Sequence, residues 1–329
     1  MPTTTDVKEH VYSEKTRQLS KEELYAQLPD KLSYSPLHIS HGPQPMDLAR
    51  RDLFDVRFQI LNEEGKFADA DSDLIPGVYE GGLKTWECAL DLVAELQKQE
   101  LDTSKNVSWY AGKHIAELGC GTAIPTCYLL QSLLGTVPPA TSSIQRTTLS
   151  LCDYNEQVLS LVVYPNLILA WYFSRVGPAS SHGVSVQEPG DLELDEDLLE
   201  AFEECLQQYQ IDLRFFSGSW DNLDLGLKAE VLLSSETVYA LATLPSLCRV
   251  LKATSWPTEE QDTAAGQNPC TTLCFIAAKV LYFGVGGGIE AFCQQVRATA
   301  GWYHTLHTYS SGVGRSILQV GWSAKGVVI

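Results

Sequence analysis

The sequence predicts an α/β protein: a doubly wound, mostly parallel sheet with helices on both faces. Three observations carry that expectation. Short apolar runs alternate along the chain with longer segments of helical spacing, as in repeated strand–helix units. One unit, His114–Pro125, passes from an apolar run through Gly119 and Gly121 into the apolar segment Ile124–Leu134, which reads as strand, tight turn and helix start. Polar or acidic residues follow directly on later runs, at Asp153, Ser217–Trp220 and Ser235–Glu236. Those are the carboxyl ends of strands, where open sheets of this kind bind ligands.

Taken in order, residues 1–35 are polar, and within them only Lys21–Leu28 reads as helix, with Ser20 as its N-cap. Residues 1–50 are expected to form a partly disordered N-terminal extension, and 51–329 one domain. Leu53–Leu61 begins with the alternation of a half-buried strand, and the acidic Glu63–Asp73 reads as a loop. Leu74–Glu87 is turn-rich, with Pro76, Gly77, Gly81 and Gly82. A helix follows, with Thr85 as its cap and Trp86, Leu90, Val93 and Leu96 on one face. Trp86 either packs that helix on the sheet or, beside the open backbone of Gly81–Gly82, borders a ligand.

Residues 135–147 read as a loop insertion and Thr148–Cys152 as a strand. Glu156–Phe173 is an apolar helix with a break at Pro165. Residues 175–200 read as a second surface insertion. Further strands are Ile211–Phe216, Ala229–Ser234 and Thr272–Leu281. A helix over Ile289–Thr299 and a closing hairpin, Tyr303–Tyr309 with Ser316–Trp322, complete the chain. His304 and His307 would fall on opposite faces of a regular strand, so no metal site is expected there.

Composition narrows the function. There are 41 acidic and 23 basic residues, a formal net charge of −18. Nonspecific nucleic-acid binding relies on Lys and Arg neutralising phosphates, so direct nucleic-acid contact is not expected; a basic partner suits this balance. Asp191–Glu204 alone holds eight acids and no base, and reads as a solvated helix face or loop. The longest apolar run, Val158–Phe173, is interrupted by Ser160, Pro165 and Asn166, so no membrane span is expected. Nine cysteines are scattered without a C-x-x-C pair or a secretory leader, the usage of reduced thiols in cytoplasm or nucleus.

The glycine turn is not that of a dinucleotide site: the third glycine of G-x-G-x-x-G would fall at Ile124. Its spacing is Glu117-x-Gly119-x-Gly121-x-Ala123, with an acid two residues before the first glycine. Gly119 and Gly121 let backbone approach a ligand without a Cβ in the way. An acid at the end of the next strand accepts hydrogen bonds from ribose hydroxyls, usually about 20 residues beyond such a turn. Asp153 lies farther on, the 135–147 insertion accounting for the excess, and can also cap the helix starting at Glu156. Ser219–Trp220 suits an adenine edge or simple rim packing. Glu236 and Tyr239, a carboxylate and a phenol at the end of a central strand, stand where chemistry would occur.

The chain resembles the histidine protein methyltransferase family, a branch of the seven-stranded S-adenosylmethionine (SAM) methyltransferases. The resemblance rests on Ile75–Glu87, Glu117–Ala123, Asp153–Asn155, Phe215–Trp220, Ser235–Tyr239 and Ala278–Gly288, and runs from about Arg50 to the C-terminus. It implies a Rossmann-like seven-stranded sheet with an antiparallel last strand. It also implies SAM as cofactor, and methylation of one histidine in a large-subunit ribosomal protein; the enzyme is expected to be a monomer. By position, Trp86 and Glu87 would border the methionine end of SAM, and Glu117, Gly119, Cys120 and Gly121 would form the floor. Asp153 and Asn155 would lie at the ribose, Ser219 and Trp220 at adenine, and Ser235 along the inner edge. Glu236 and Tyr239 would face the substrate. Ala123 stands where many relatives have glycine. The residues alone leave three other readings open: a protein-lysine methyltransferase of the same branch, a non-catalytic SAM-binding ribosome-assembly factor, and a SAM enzyme for small molecules.

Overall fold

The structure is a computed structural model; it describes residues 15–54, 56, 81–101, 108–139, 145–184, 186–256, 272–282, 286–310 and 312–322. It begins with a short strand, β1 (Arg17–Leu19), and a helix of little more than one turn, α1 (Lys21–Tyr25). Ser20 caps α1 reciprocally: its hydroxyl accepts the Glu23 N–H at 3.2 Å, and the Glu23 carboxylate accepts the Ser20 N–H at 2.8 Å. Strands β2 (Lys31–Ile39) and β3 (Met46–Arg51) follow. Beyond them lie α2 (Glu87–Leu101), β4 (His114–Leu118), α3 (Ile124–Leu134), β5 (Thr147–Asp153) and α4 (Tyr164–Tyr172). Then come β6 (Gly190–Glu193), α5 (Glu196–Gln208), β7 (Ile211–Ser217), β8 (Val231–Ser235) and α6 (Leu244–Thr254). The last elements are β9 (Leu273–Lys279), α7 (Ile289–Ala298), β10 (Gly301–Tyr309) and β11 (Arg315–Trp322).

The main sheet runs in the order β1-β7-β5-β4-β8-β9-β11-β10. From β7 to β9 every pairing is parallel; β11 is antiparallel to both β9 and β10. The chain winds outward from β4 in two directions, through β5 and β7 on one side and β8 and β9 on the other. The strand order therefore reverses between β4 and β8, and their carboxyl ends open the crevice where such sheets bind ligands. All five residues of β4 are buried, as expected for a strand covered on both faces. Ile115, Leu149, Leu151, Leu233 and Phe275 pack under α2, α3 and α4; Ala116, Leu118, Leu232, Cys274 and Ile276 pack under α6 and α7.

The sheet has eight strands rather than seven, because β1 pairs antiparallel with β7 at the edge. A second sheet, β3-β2-β6, was not foreseen either. It uses four residues of the expected 175–200 insertion as β6, paired with β2 from Lys31↔Glu193 to Tyr34↔Gly190. The acid-rich run folds into β6 and α5, whose inner face buries Phe202 and Leu206; most of the acids stay exposed, and Glu203 turns in to pair with Lys21 and accept the Tyr164 hydroxyl. Of the strand expected over Leu53–Leu61, the described residues 53, 54 and 56 are helical; the remainder, with 63–73 and 75–80, lies outside the described residues. A register shift between Thr305 and His307 sets His304 opposite Gln319 and His307 opposite Ile317. Those partners are two residues apart, so the histidines share a face, contrary to regular alternation. Among the described residues no group of three His, Cys, Asp or Glu side chains could hold a metal ion.

The expected break at Pro165 is a π-turn, Leu159–Val163, running into α4. Pro165 has no N–H for the carbonyl one turn back, at Leu161. Arg51 Nη1 donates to that carbonyl instead, at 2.6 Å. The Arg51 backbone N–H donates to Asn166 Oδ1 at 2.8 Å, and Asn166 Nδ2 donates to the Thr122 carbonyl at 2.9 Å. Strand β3, α4 and the glycine turn are thereby tied together through buried groups.

Candidate active site

The turn after β4 adopts backbone that favours glycine: φ is 64° at Gly119 and 52° at Gly121, and Ala123 takes the same left-handed form at 52°. It is held from below. The N–H groups of Cys120 and Gly121 donate to the Cys152 carbonyl and to Asp153 Oδ2, both at 2.9 Å. Asp153 Oδ1 accepts the Asn155 N–H at 3.1 Å. Asp153 therefore braces the turn and does not cap the next helix; the N-cap position is Asn155. Asn155 Nδ2 reaches across to the Gly81 carbonyl at 2.8 Å, and Thr85 Oγ1 meets Thr122 Oγ1 at 2.9 Å. Thr85 thus joins the Gly81–Gly82 turn to the β4 turn and does not cap α2. Gly82 lies so close that a Cβ on Gly121 would meet its Cα at 3.5 Å.

Glu117, Trp220 and Glu236 each carry a buried polar atom with no hydrogen-bond partner: Oε1, Nε1 and Oε1 respectively. These orphaned atoms lie on the residues expected for the site, at the ends of β4, β7 and β8. Burial pushes the Glu117 carboxyl up to about 8, although Thr126 donates to Oε2 from its hydroxyl and its N–H. A Cβ on Gly119 would overlap Thr237 Cγ2 and meet the Trp220 ring at 3.5 Å, so the β4 turn, the β7 corner and the segment after β8 converge. The Ser219 hydroxyl accepts the Asp221 N–H at 3.2 Å, which builds the short 3-10 turn that carries Trp220. Ser235 ends β8, paired in register with Ala277.

Glu236 is the most constrained residue of the group. Its φ is 58°, left-handed for a residue with a Cβ; strain of this kind clusters at functional sites. Its N–H donates to the Ala277 carbonyl at 2.9 Å, and Oε2 accepts the Tyr282 hydroxyl at 2.6 Å. Burial, with the Glu236 charge next, holds the Tyr282 phenol far above its ordinary range. Cys88, at the start of α2, faces the same carboxylate; burial and that charge hold its thiol protonated. Tyr239 stacks edge-on with Tyr282, centroids 6.3 Å apart, and its carbonyl accepts the Gly287 N–H at 2.9 Å. A Cβ on Gly287 would overlap that carbonyl.

Lys279 and Tyr282 were not singled out from the sequence. Lys279 Nζ stands 3.9 Å from both Glu236 Oε1 and Glu87 Oε2, and 4.4 Å from the centroid of Trp86. Trp86 is 40% exposed, with Lys279 over its ring. The only sequence signal was their place in the run Ala278–Gly288. Nothing local shows that the end of β9 folds over the end of β8.

No family model matches the chain. It is 32% identical over 312 residues to Histidine protein methyltransferase 1 of Schizosaccharomyces pombe, covering 88% of this chain and 80% of that one. It is 31% identical over 273 residues to Histidine protein methyltransferase 1 of Saccharomyces cerevisiae, covering 74% and 67%. The chain belongs to this family. It is an enzyme, a methyltransferase, and SAM is its methyl donor. The residues fit that molecule: a glycine turn at the strand-order reversal, an acid at the end of the neighbouring strand, and orphaned buried polar atoms on three sides. The homolog of Bos taurus is 28% identical over 284 residues, covering 84% of this chain and 64% of that one. Among solved structures, a ribosomal protein L11 methylase from Lactobacillus delbrueckii subsp. bulgaricus is similar at TM-score 0.38 and 11% identity, covering 88% of this chain and 100% of that one.

Proposed function

We propose that the protein methylates a ring nitrogen of one histidine in a basic protein of the large ribosomal subunit, as a monomer in cytoplasm or nucleus. The net charge of −18 supports a basic substrate. Glu236 is the observation that carries the reaction. A neutral imidazole offers one ring nitrogen as nucleophile and keeps a proton on the other. Glu236 Oε2 is taken by Tyr282, which leaves the buried Oε1, on which no hydrogen bond falls, to receive that second N–H. Accepting it fixes the tautomer and opposes the positive charge that grows on the ring. Tyr239 walls the ring.

When bound, SAM would supply a methyl carbon on a sulfonium sulfur, to be taken by the ring nitrogen with the C–S electron pair left on sulfur, and Glu236 would receive the ring proton. Because the nucleophile is neutral from the start, most of what the chain contributes is alignment. Trp86 and Glu87 would stand at the methionine end of the donor. Glu117, Gly119, Cys120 and Gly121 would lie beneath it, and Asp153 and Asn155 at the ribose. Ser219 and Trp220 would flank adenine, with Ser235 along the inner edge.

The test is Glu236→Gln, with donor affinity by calorimetry and methyl transfer by isotope label. The rate should fall by roughly 10²–10³-fold, the scale of losing one transition-state hydrogen-bond partner, while affinity for SAM stays within about twofold. A loss of affinity matching the loss of rate would refute the assignment.

A further inference from the structure

We infer that Lys279 selects the substrate: its ammonium occupies the cation position of the site, so a neutral imidazole is accepted and a lysine side chain is refused. The inference rests on the reaction proposed above. A lysine substrate would need an aromatic face for its charge and a carboxylate to receive a proton before attack. The aromatic face is covered from within the chain, and the open oxygen of the carboxylate already faces a cation, which lowers its pull on a proton from an ammonium. Lys279 Nζ lies 4.4 Å from the Trp86 ring centroid and 5.8 Å from that of Tyr282. It is 3.9 Å from Glu236 Oε1, the same oxygen that Tyr282 leaves open. Its side chain is 14% exposed, so its charge is poorly screened by water.

The groups around Lys279 come from four directions. Helix α2 brings Glu87 to Lys279 and Cys88 to Glu236; the segment after β8 brings Glu236; the segment after β9 brings Tyr282. From β11, Arg315 is the cross-strand partner of Lys279, but it is turned to Asp91, with Nε to Oδ2 at 2.7 Å. His41 Nε2 lies 3.2 Å from the other oxygen of Asp91. Arg315 is thus paired locally, and Lys279 stands as a cation next to Glu236. A second ammonium there meets like charge. An imidazole meets a cation that lowers its pKa, which keeps it unprotonated for attack and helps the methylated ring shed its remaining N–H proton.

The experiment uses the full chain as wild type, Lys279→Met and Lys279→Arg, each first shown to bind SAM. Each is given isotope-labelled methyl SAM and the large-subunit ribosomal protein fraction of cells lacking the enzyme. Hydrolysates are assayed for methylhistidine and methyllysine across pH. Wild type should give methylhistidine; methyllysine from wild type would overturn both the proposed function and this inference. Lys279→Met should raise the methyllysine-to-methylhistidine ratio at least about tenfold, the scale of about one pKa unit of charge interaction. It should also move the acid limb of methylhistidine formation to higher pH, because the substrate imidazole loses the cation that held its pKa down. Lys279→Arg should restore both. A Met variant with the wild-type ratio and acid limb overturns the inference and leaves the proposed function standing. So does loss of all transfer in both variants with SAM binding intact, which would make Lys279 a catalytic group and not a selective one.

Discussion

Glu117→Gln should flatten the pH dependence of stability and leave the fold intact. The Glu117 carboxyl is buried at the end of β4, and burial raises it from 4.5 to about 8; Asp153 adds to the rise, and the Thr126 hydrogen bonds oppose it. Between those two values the folded protein keeps a proton that the unfolded chain releases. Stability therefore falls as pH rises through that window, by about 1.4 kcal/mol per unit. The contribution is complete below the unfolded value and gone above the folded one. From about pH 5.5 to about pH 8 the loss is on the order of 3 kcal/mol. Glutamine keeps the shape, and its carbonyl can accept both bonds from Thr126, but it does not titrate. Urea unfolding of both proteins across that range, taken as the difference at each pH, cancels every other group. The difference should change by about that amount in favour of the variant towards high pH. Parallel pH profiles would refute the buried, proton-holding Glu117.

Three further outcomes follow from local geometry. Gly119→Ala places a Cβ against Thr237 Cγ2 at a φ of 64°, and Thr237 is fixed by Ser234 Oγ at 2.7 Å. The cost should be about 2–4 kcal/mol in denaturant unfolding, with weakened SAM binding in calorimetry. Arg51→Met strips the donor from the buried Leu161 carbonyl and should cost about 1–3 kcal/mol; an unchanged urea midpoint would count against the bracing of the π-turn. Ala123→Gly relieves left-handed backbone at a φ of 52° and should raise the free energy of denaturant unfolding by up to about 1 kcal/mol, since glycine's own entropy cost takes back part of the gain.

What could be read in the sequence was what is locally encoded. The parallel strands β4, β5, β8 and β9 are buried on both faces and stand out as apolar runs, β7 starts as an alternation with Asp212 and Arg214 half-buried, and the turn at Gly119–Gly121 is set by residue type. The second sheet left no such mark. In β2 only Leu32 and Ile39 are buried, at opposite ends, and Pro36 sits in the middle of the strand, paired with Ala49; pairing with β3 and β6 makes it a strand, not its own pattern. In the site, Glu236 and Tyr239 were legible as polar residues at a strand end. Lys279 and Tyr282 reach Glu236 only because β9 lies beside β8. The left-handed turn at Glu236 is equally hidden, since no residue type there calls for it.

The most direct test of the account is to locate the methyl group. Wild type and Glu236→Gln would each be given isotope-labelled methyl SAM and ribosomal proteins from cells lacking the enzyme, and the labelled residue identified by tandem mass spectrometry. The account predicts label on a histidine ring with wild type, and little or none with the variant although it still binds SAM. Label on lysine, or histidine label that survives in Glu236→Gln at the wild-type rate, would contradict it.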